Sequence, residues 1–140
     1  MSSADGDVVT AFLAAMEVAD EEGALALVHD DLVFHNVPLA GPKPGGPAVR
    51  YHCRLFRRYA VHVRWELVNQ VAERGRVIHE RVDHTRFLDE TTTVLPVVGV
   101  FEVRGGRIGL WRDYWDTTTL TTQLGTDWIS FEQRLRAVPS

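Results

Sequence analysis

The sequence predicts a single α+β domain in which a curved, mixed but mostly antiparallel sheet wraps over N-terminal helices and leaves a deep pocket between the two layers. Three observations carry this expectation. Helical periodicity dominates the chain up to Tyr59, and two-residue alternation takes over from Val61. Arg104-Gly105-Gly106-Arg107 is a strong two-residue hairpin signal between two apolar runs. Helices followed by a long meander form segregated layers, the mark of an α+β domain. The 140 residues suffice for one domain with a proper core.

The elements follow in order. Asp7 to about Ala19 is expected as an amphipathic helix, because Val8, Ala11, Phe12, Ala15 and Met16 fall on one face. Acids near its start complement the helix dipole. Residues 1–6 are expected to form a flexible start to the domain, 1–140. Asp20-Glu21-Glu22 opens a short second helix through Val28, punctuated by His29-Asp30-Asp31. Leu32–Val37 reads as a strand stopped by Pro38. Gly41 to Pro47, with prolines at 42, 44 and 47, reads as a loop that could rim or cover a pocket. Pro47 suits the first turn of a third helix ending at Tyr59, with Val49, Leu55 and Phe56 inward and its basic residues and histidine outward. Four strands follow: Val61 onward, Val77–Phe87, Thr92–Val103 and Ile108–Asp116. A short helix is expected in the Thr-rich segment. Thr126-Asp127 then caps a last helix packed through Trp128, Ile129, Phe131 and Leu135.

Composition narrows the function classes. A hydrophobic fraction of 45% and a charged fraction of 24% are those of an ordinary soluble globular protein. A net charge of −4 and a pI near 5.8 argue against nucleic acid or an anionic membrane as partner. No apolar run approaches the roughly 20 residues needed to span a bilayer. Cys53 is the only cysteine, and the start of the chain lacks the basic and apolar regions of a secretion signal, so a cytoplasmic location is expected. The six histidines show no metal-ligand spacing, and there is no Gly-rich phosphate loop or GxSxG signature. No cofactor and no metal are expected.

The chemistry concentrates in Leu110-Trp111-Arg112-Asp113-Tyr114-Trp115-Asp116. Strand alternation puts Trp111, Asp113 and Trp115 on one face and Arg112, Tyr114 and Asp116 on the other. An acid flanked by tryptophans is poorly solvated and needs a partner. With Gly105-Gly106 as the turn, Val103 pairs with Ile108, Val100 with Trp111 and Val98 with Asp113, so Val98 and Val100 are expected in the pocket wall. Arg81 and Asp83 share a face one strand further over, which makes an Asp–Arg–Asp array available. A guanidinium has five donors and can bridge two carboxylates. It also lets their environments differ, so that one carboxyl stays protonated as an acid while the other acts as base. Phe34 and Asn36 share a face of the first strand, where Asn36 could hold a water. His79 and His84 read as out of phase with Asp83, Arg112 and Asp116 as structural salt links, and Trp65, Trp115 and Trp128 as core or dimer contacts.

Asn36-Val37-Pro38-Leu39, Glu80-Arg81-Val82-Asp83, Val98-Gly99-Val100-Phe101 and Gly109-Leu110-Trp111-Arg112-Asp113-Tyr114 together resemble the limonene-1,2-epoxide hydrolases, which have the nuclear-transport-factor-2-like (SnoaL-like) cone fold. The likeness runs from the first helix through Asp116. It implies a cofactor-independent hydrolase that adds water to a small hydrophobic epoxide in one step, giving a vicinal diol. Asp113 would be the base for water, Asp83 the acid on the epoxide oxygen, Arg81 the bridge and Asn36 a holder of the water. Trp111, Phe34, Val98, Val100 and Leu39 would meet the substrate. The resemblance also implies a homodimer, with Tyr114, Phe101 and Leu110 on an exposed aromatic sheet face. One position departs from the pattern: the family has a tyrosine two residues before the asparagine, and this chain has Phe34. Tyr51 and His35 are the candidates for a replacement. The alternatives are an epoxide-opening cyclase or ketosteroid-isomerase-like enzyme of the same fold, and a non-catalytic ligand-binding pocket protein.

Overall fold

The computed structural model describes residues 3–139. In chain order the elements are α1 (Ala4–Glu17), α2 (Glu21–Ala26), β1 (Val28–Asn36), β2 (Lys43–Pro44), α3 (Gly45–Tyr59), β3 (Ala60–Glu73), β4 (Arg76–Phe87), β5 (Thr92–Arg104), β6 (Arg107–Tyr114), α4 (Thr117–Leu124) and α5 (Trp128–Arg136). The sheet order is β2-β1-β6-β5-β4-β3. The four long strands β3 to β6 form an antiparallel meander, and β1 adds parallel to β6. The result is the mixed, curved sheet of an α+β cone.

Local chemistry sets the helix ends. α1 begins at Ala4 rather than Asp7 because the Ser3 hydroxyl accepts from the Gly6 N–H at 2.9 Å. Of the expected flexible start, residues 1 and 2 lie outside the described residues. Asp20 and Asp127 cap α2 and α5 in the same way. Asp116 is not a salt link: its carboxylate caps the Thr-rich α4, accepting from the Thr119 N–H at 3.0 Å and hydroxyl at 2.7 Å.

Two segments differ from expectation. His29-Asp30-Asp31 lie within β1 instead of ending a helix, held to the β5–β6 turn by Asp31 and His29 contacts to Arg104 at 2.9 and 2.8 Å. The proline-rich run after Gly41 is not all loop. Lys43–Pro44 pairs with Val33 and Phe34 as an edge strand, where a missing N–H is tolerated.

The core fills the concave side. Val9, Phe12, Leu13 and Met16 of α1 and Val49 and Cys53 of α3 pack on Val77, Phe101 and Trp111 of the sheet. Phe101 is fully buried here, not part of an exposed aromatic face. A second cluster joins Leu55, Tyr59 and Phe87 to Leu124, Phe131 and Leu135 of the last two helices.

The last hairpin corrects the expected register. Gly105 and Gly106 adopt φ of +58° and +77°, as the tight turn requires, and Val103 does pair with Ile108. Gly109 then has no partner, so Glu102 pairs with Leu110 and the count slips by one. Gly99, not Val98, lies across from Asp113, and Phe101 rather than Val100 faces Trp111. A one-residue slip moves every side chain to the other face. Val98 and Val100 therefore point away from the helices, and Val98 is 40% exposed.

Candidate active site

Pairing across five strands lines up Gln70 on β3, His79 on β4, Gly99 on β5, Asp113 on β6 and Asn36 on β1 in one transverse row on the concave face. The missing side chain at Gly99 opens a lane through that row. A Cβ there would lie 2.7 Å from His79 Nε2 and 3.0 Å from Arg81 Nη1. Arg81 starts on β4, two strand spacings or roughly 10 Å from Asp113. It reaches across that lane.

All five guanidinium N–H groups find acceptors. Nε donates to Asp83 Oδ1 at 2.8 Å and Nη2 to Asp83 Oδ2 at 3.2 Å. Nη1 donates to Asp113 Oδ1 at 3.0 Å and Nη2 to Asp113 Oδ2 at 2.6 Å. The fifth bond runs from Nη1 to His79 Nε2 at 3.2 Å. The His79 tautomer follows from its other side: Nδ1–H donates to Gln70 Oε1 at 3.1 Å, while Gln70 Nε2 donates to the Gly6 carbonyl at 3.2 Å. That leaves Nε2 as an acceptor for Arg81. The Trp65 ring covers the guanidinium, with Cζ 4.8 Å from its centroid.

The two carboxylates are not equivalent. Asp113 Oδ1 also accepts from Trp111 Nε1 at 2.9 Å, so it holds two donors and Oδ2 only one. Oδ2 is the oxygen with a lone pair to spare. Asp83 takes its two bonds from Arg81 alone and is the more open, its side chain 18% exposed against 7% for Asp113. Burial raises the Asp83 carboxyl above its usual range despite the counteracting Arg81 charge. Burial works to lower Arg81, but the Asp113 and Asp83 charges outweigh it and keep the guanidinium firmly charged. Burial and the Arg81 charge push His79 down to about 4, so it is neutral near pH 7.

Asn36 sits beside Asp113 in the parallel β1–β6 pairing. Its Oδ1 accepts from Trp115 Nε1 at 2.9 Å, which turns the amide so that Nδ2 is left to donate. Phe34 is buried with its ring 4.2 Å from that of Trp111. The structure thus brings together Asp113, Arg81, Asp83, Asn36, Trp111 and Phe34. Leu39, half-exposed in the turn after β1, gives its N–H to the Asn36 carbonyl at 2.9 Å. Val98 and Val100 lie on the opposite face of the sheet.

Five residues escaped the sequence reading. His79 is in phase with Arg81 and Asp83, since counting by two from 83 reaches 79. Trp65 and Trp115 are not merely core aromatics but partners of Arg81 and Asn36. Gly99 was one register step away from its role. His52, expected on the outward face of α3, turns inward: its ring lies 5.6 Å from that of Phe34 and 5.8 Å from that of Trp111. Burial lowers its pKa. Among the described residues no group of three His, Cys, Asp or Glu side chains is arranged to hold a metal ion, and no helix is long and apolar enough to cross a membrane.

An arginine clamped between two carboxylates on the inner wall of a cone-shaped α+β domain is an arrangement suited to acid–base chemistry. The chain belongs to the limonene-1,2-epoxide hydrolase catalytic domain family, whose sequence model matches residues 3–125. It is 36% identical over 110 residues to epoxide hydrolase EphG of Mycobacterium tuberculosis, covering 77% of this chain and 70% of that protein. A solved structure of an M. tuberculosis LEH-like epoxide hydrolase superposes with a TM-score of 0.76 at 28% identity, over 94% of this chain and 96% of that one. An NTF2-like protein of unknown function from Burkholderia pseudomallei, at 19% identity and a TM-score of 0.73 over 87% and 98% of the two chains, shares the fold.

Proposed function

We propose that this protein hydrates a small hydrophobic epoxide in one step, with Asp113 as general base and Asp83 as general acid. The observation that carries the reading is the Arg81 guanidinium, which bonds both carboxylates at once inside an otherwise aromatic wall. Asp113 Oδ2 takes a proton from water as the water oxygen bonds to an epoxide carbon. Protonated Asp83 gives its proton to the epoxide oxygen as that carbon–oxygen bond breaks. The products are a vicinal diol, a protonated Asp113 and an ionised Asp83, and proton exchange with solvent resets the pair. Asn36 Nδ2 donates to the attacking water. Arg81 keeps the pair unequal and stays charged throughout.

The test is incubation with limonene oxide, cyclohexene oxide and styrene oxide in water labelled with oxygen-18, with enzyme in excess for a single turnover. One-step hydration puts the label into the diol in the first turnover. A covalent ester on either aspartate would instead deliver an unlabelled enzyme oxygen first. Asp113→Asn and Asp83→Asn should each abolish product, in keeping with the roughly 10²–10⁴-fold contribution of a positioned acid or base. Activity surviving in Asp113→Asn would remove the base assignment.

In this proposal the protein works as a homodimer joined through the outer sheet face, where Ile78, Val98 and Tyr114 are each about 40% exposed. Light scattering of Tyr114→Asp against the parent chain tests that contact; an unchanged mass would move the interface elsewhere.

A further inference from the structure

The hydrolytic water needs more than a base. With one proton directed to Asp113 Oδ2 and its oxygen held by Asn36 Nδ2, its second proton finds no acceptor in the Asp113–Arg81–Asp83–Asn36 set. His52 can supply one. Its Nδ1 lies 2.8 Å from the Ala48 carbonyl one turn earlier on α3, and a carbonyl only accepts, so Nδ1 carries the hydrogen. Nε2 of the neutral ring is therefore a lone-pair acceptor. It hydrogen-bonds none of the described residues, and the residue is only partly buried. The ring it belongs to packs against Phe34 and Trp111, the two aromatics that flank Asn36 and Asp113 in sequence and share their face.

The other candidates fall away. His35 lies on the opposite face of β1 from Asn36 and packs over Gly41. Tyr51 is half-exposed, and its electrostatic surroundings are Trp128, Glu132 and Arg136 of α5 rather than Asp113.

We infer that His52 Nε2 is the second acceptor for the hydrolytic water, a further catalytic residue that this chain supplies from α3. The inference rests on the base and acid roles given above to Asp113 and Asp83. It also fits Phe34, whose ring lies against His52 and carries no hydroxyl that would compete for the same water.

Four proteins test it: His52→Phe, His52→Gln, Phe34→Tyr and the double variant His52→Phe/Phe34→Tyr, assayed on whichever epoxide the parent hydrates. Loss of one neutral hydrogen bond to the water should lower kcat of His52→Phe roughly 2- to 12-fold with KM unchanged. His52→Gln keeps an acceptor near the same place and should retain most of kcat. In the double variant the tyrosine hydroxyl restores an oxygen beside the missing nitrogen and should recover kcat relative to His52→Phe, with Phe34→Tyr alone as the reference for the effect of the hydroxyl itself. A purely structural role for His52 would not be rescued by a hydroxyl on another strand. Should His52→Phe fail to fold, His52→Met is the apolar comparator. Unchanged kcat in a folded His52→Phe or His52→Met, a loss confined to KM, or a folded double variant that recovers nothing would each overturn the assignment. No diol from the parent protein would overturn the acid–base reading itself and this inference with it. Normal diol formation with an indifferent His52 would overturn this inference alone.

Discussion

Two rows of residues cross the same five strands one position apart. The inner row is Gln70, His79, Gly99, Asp113 and Asn36; the outer row is Val71, Ile78, Val100, Arg112 and His35. An arginine belongs to each face. Arg81, beside the inner row, is 2% exposed and has every donor matched to an acceptor. Arg112, in the outer row, has a buried Nε with no hydrogen-bond partner among the described residues. The sheet tolerates a loosely paired cation on the outside and builds a complete network on the inside. Burial alone does not mark an arginine as functional. Complete, convergent pairing does, because each member of a buried network raises the penalty for losing another.

The strongest way to break the contrast is Arg81→Met. Removing the cation leaves the buried Asp113 and the partly buried Asp83 without their shared partner, and breaking a buried pair in this way costs about 3–5 kcal/mol. Chemical denaturation should show that loss, with diol formation gone. A variant that keeps both stability and activity would show that the carboxylates do not depend on the bridge.

His79 gives a pH-dependent version of the same test. Its folded pKa of about 4 lies below the ordinary 6.5, so the neutral ring is what the fold accommodates. That contribution is fully present above pH 6.5 and is lost as the pH falls toward 4, amounting to about 3 kcal/mol across the window. His79→Gln keeps an acceptor for Arg81 and cannot be protonated. Its stability should therefore fall less steeply than the parent's between pH 6.5 and 4, measured by denaturant midpoints. Parallel curves would show that His79 is not held neutral.

Gly99→Ala is the next smaller step. The added methyl would lie 2.7 Å from His79 Nε2, 2.9 Å from the Phe101 ring and 3.0 Å from Arg81 Nη1, so the hydrogen-bonded network must shift, an overpacking penalty of about 1–3 kcal/mol. Activity should fall more than stability, because the lane Arg81 uses is the thing obstructed. A stable variant with full activity would mean that Arg81 can take another path to Asp113.

Which of these residues the sequence reveals follows from how local their determinants are. Alternation within a strand needs only neighbours, so the pairs Trp111/Asp113, Arg81/Asp83 and Phe34/Asn36 were legible on their proper faces. The face of β5 was not, because it depends on register, and the slip at Gly109 is tied to distant contacts. A side chain at Gly109 would press on Arg104 at 3.0 Å, and Arg104 is held by Asp31 and His29 from the far end of β1. His52 was hidden for the opposite reason. Set among arginines on α3, it looked solvated, but its Nδ1 is satisfied within its own helix, which leaves the ring free to turn inward.

The smallest expected effect belongs to the outer row, and it is the one that makes the contrast quantitative. Arg112→Met keeps an aliphatic stem at the position between Val100 and His35 in the outer row and removes a buried nitrogen that bonds to nothing described. Replacing an unsatisfied buried polar group by an apolar one of similar length should be neutral or mildly stabilising, by up to about 1 kcal/mol. Diol formation should be unchanged, since no part of Arg112 shares the face of Asp113. If Arg112→Met instead weakened hydrolysis as Arg81→Met does, the two faces would be coupled through β6, and the outer arginine would have to be counted among the residues that position Asp113.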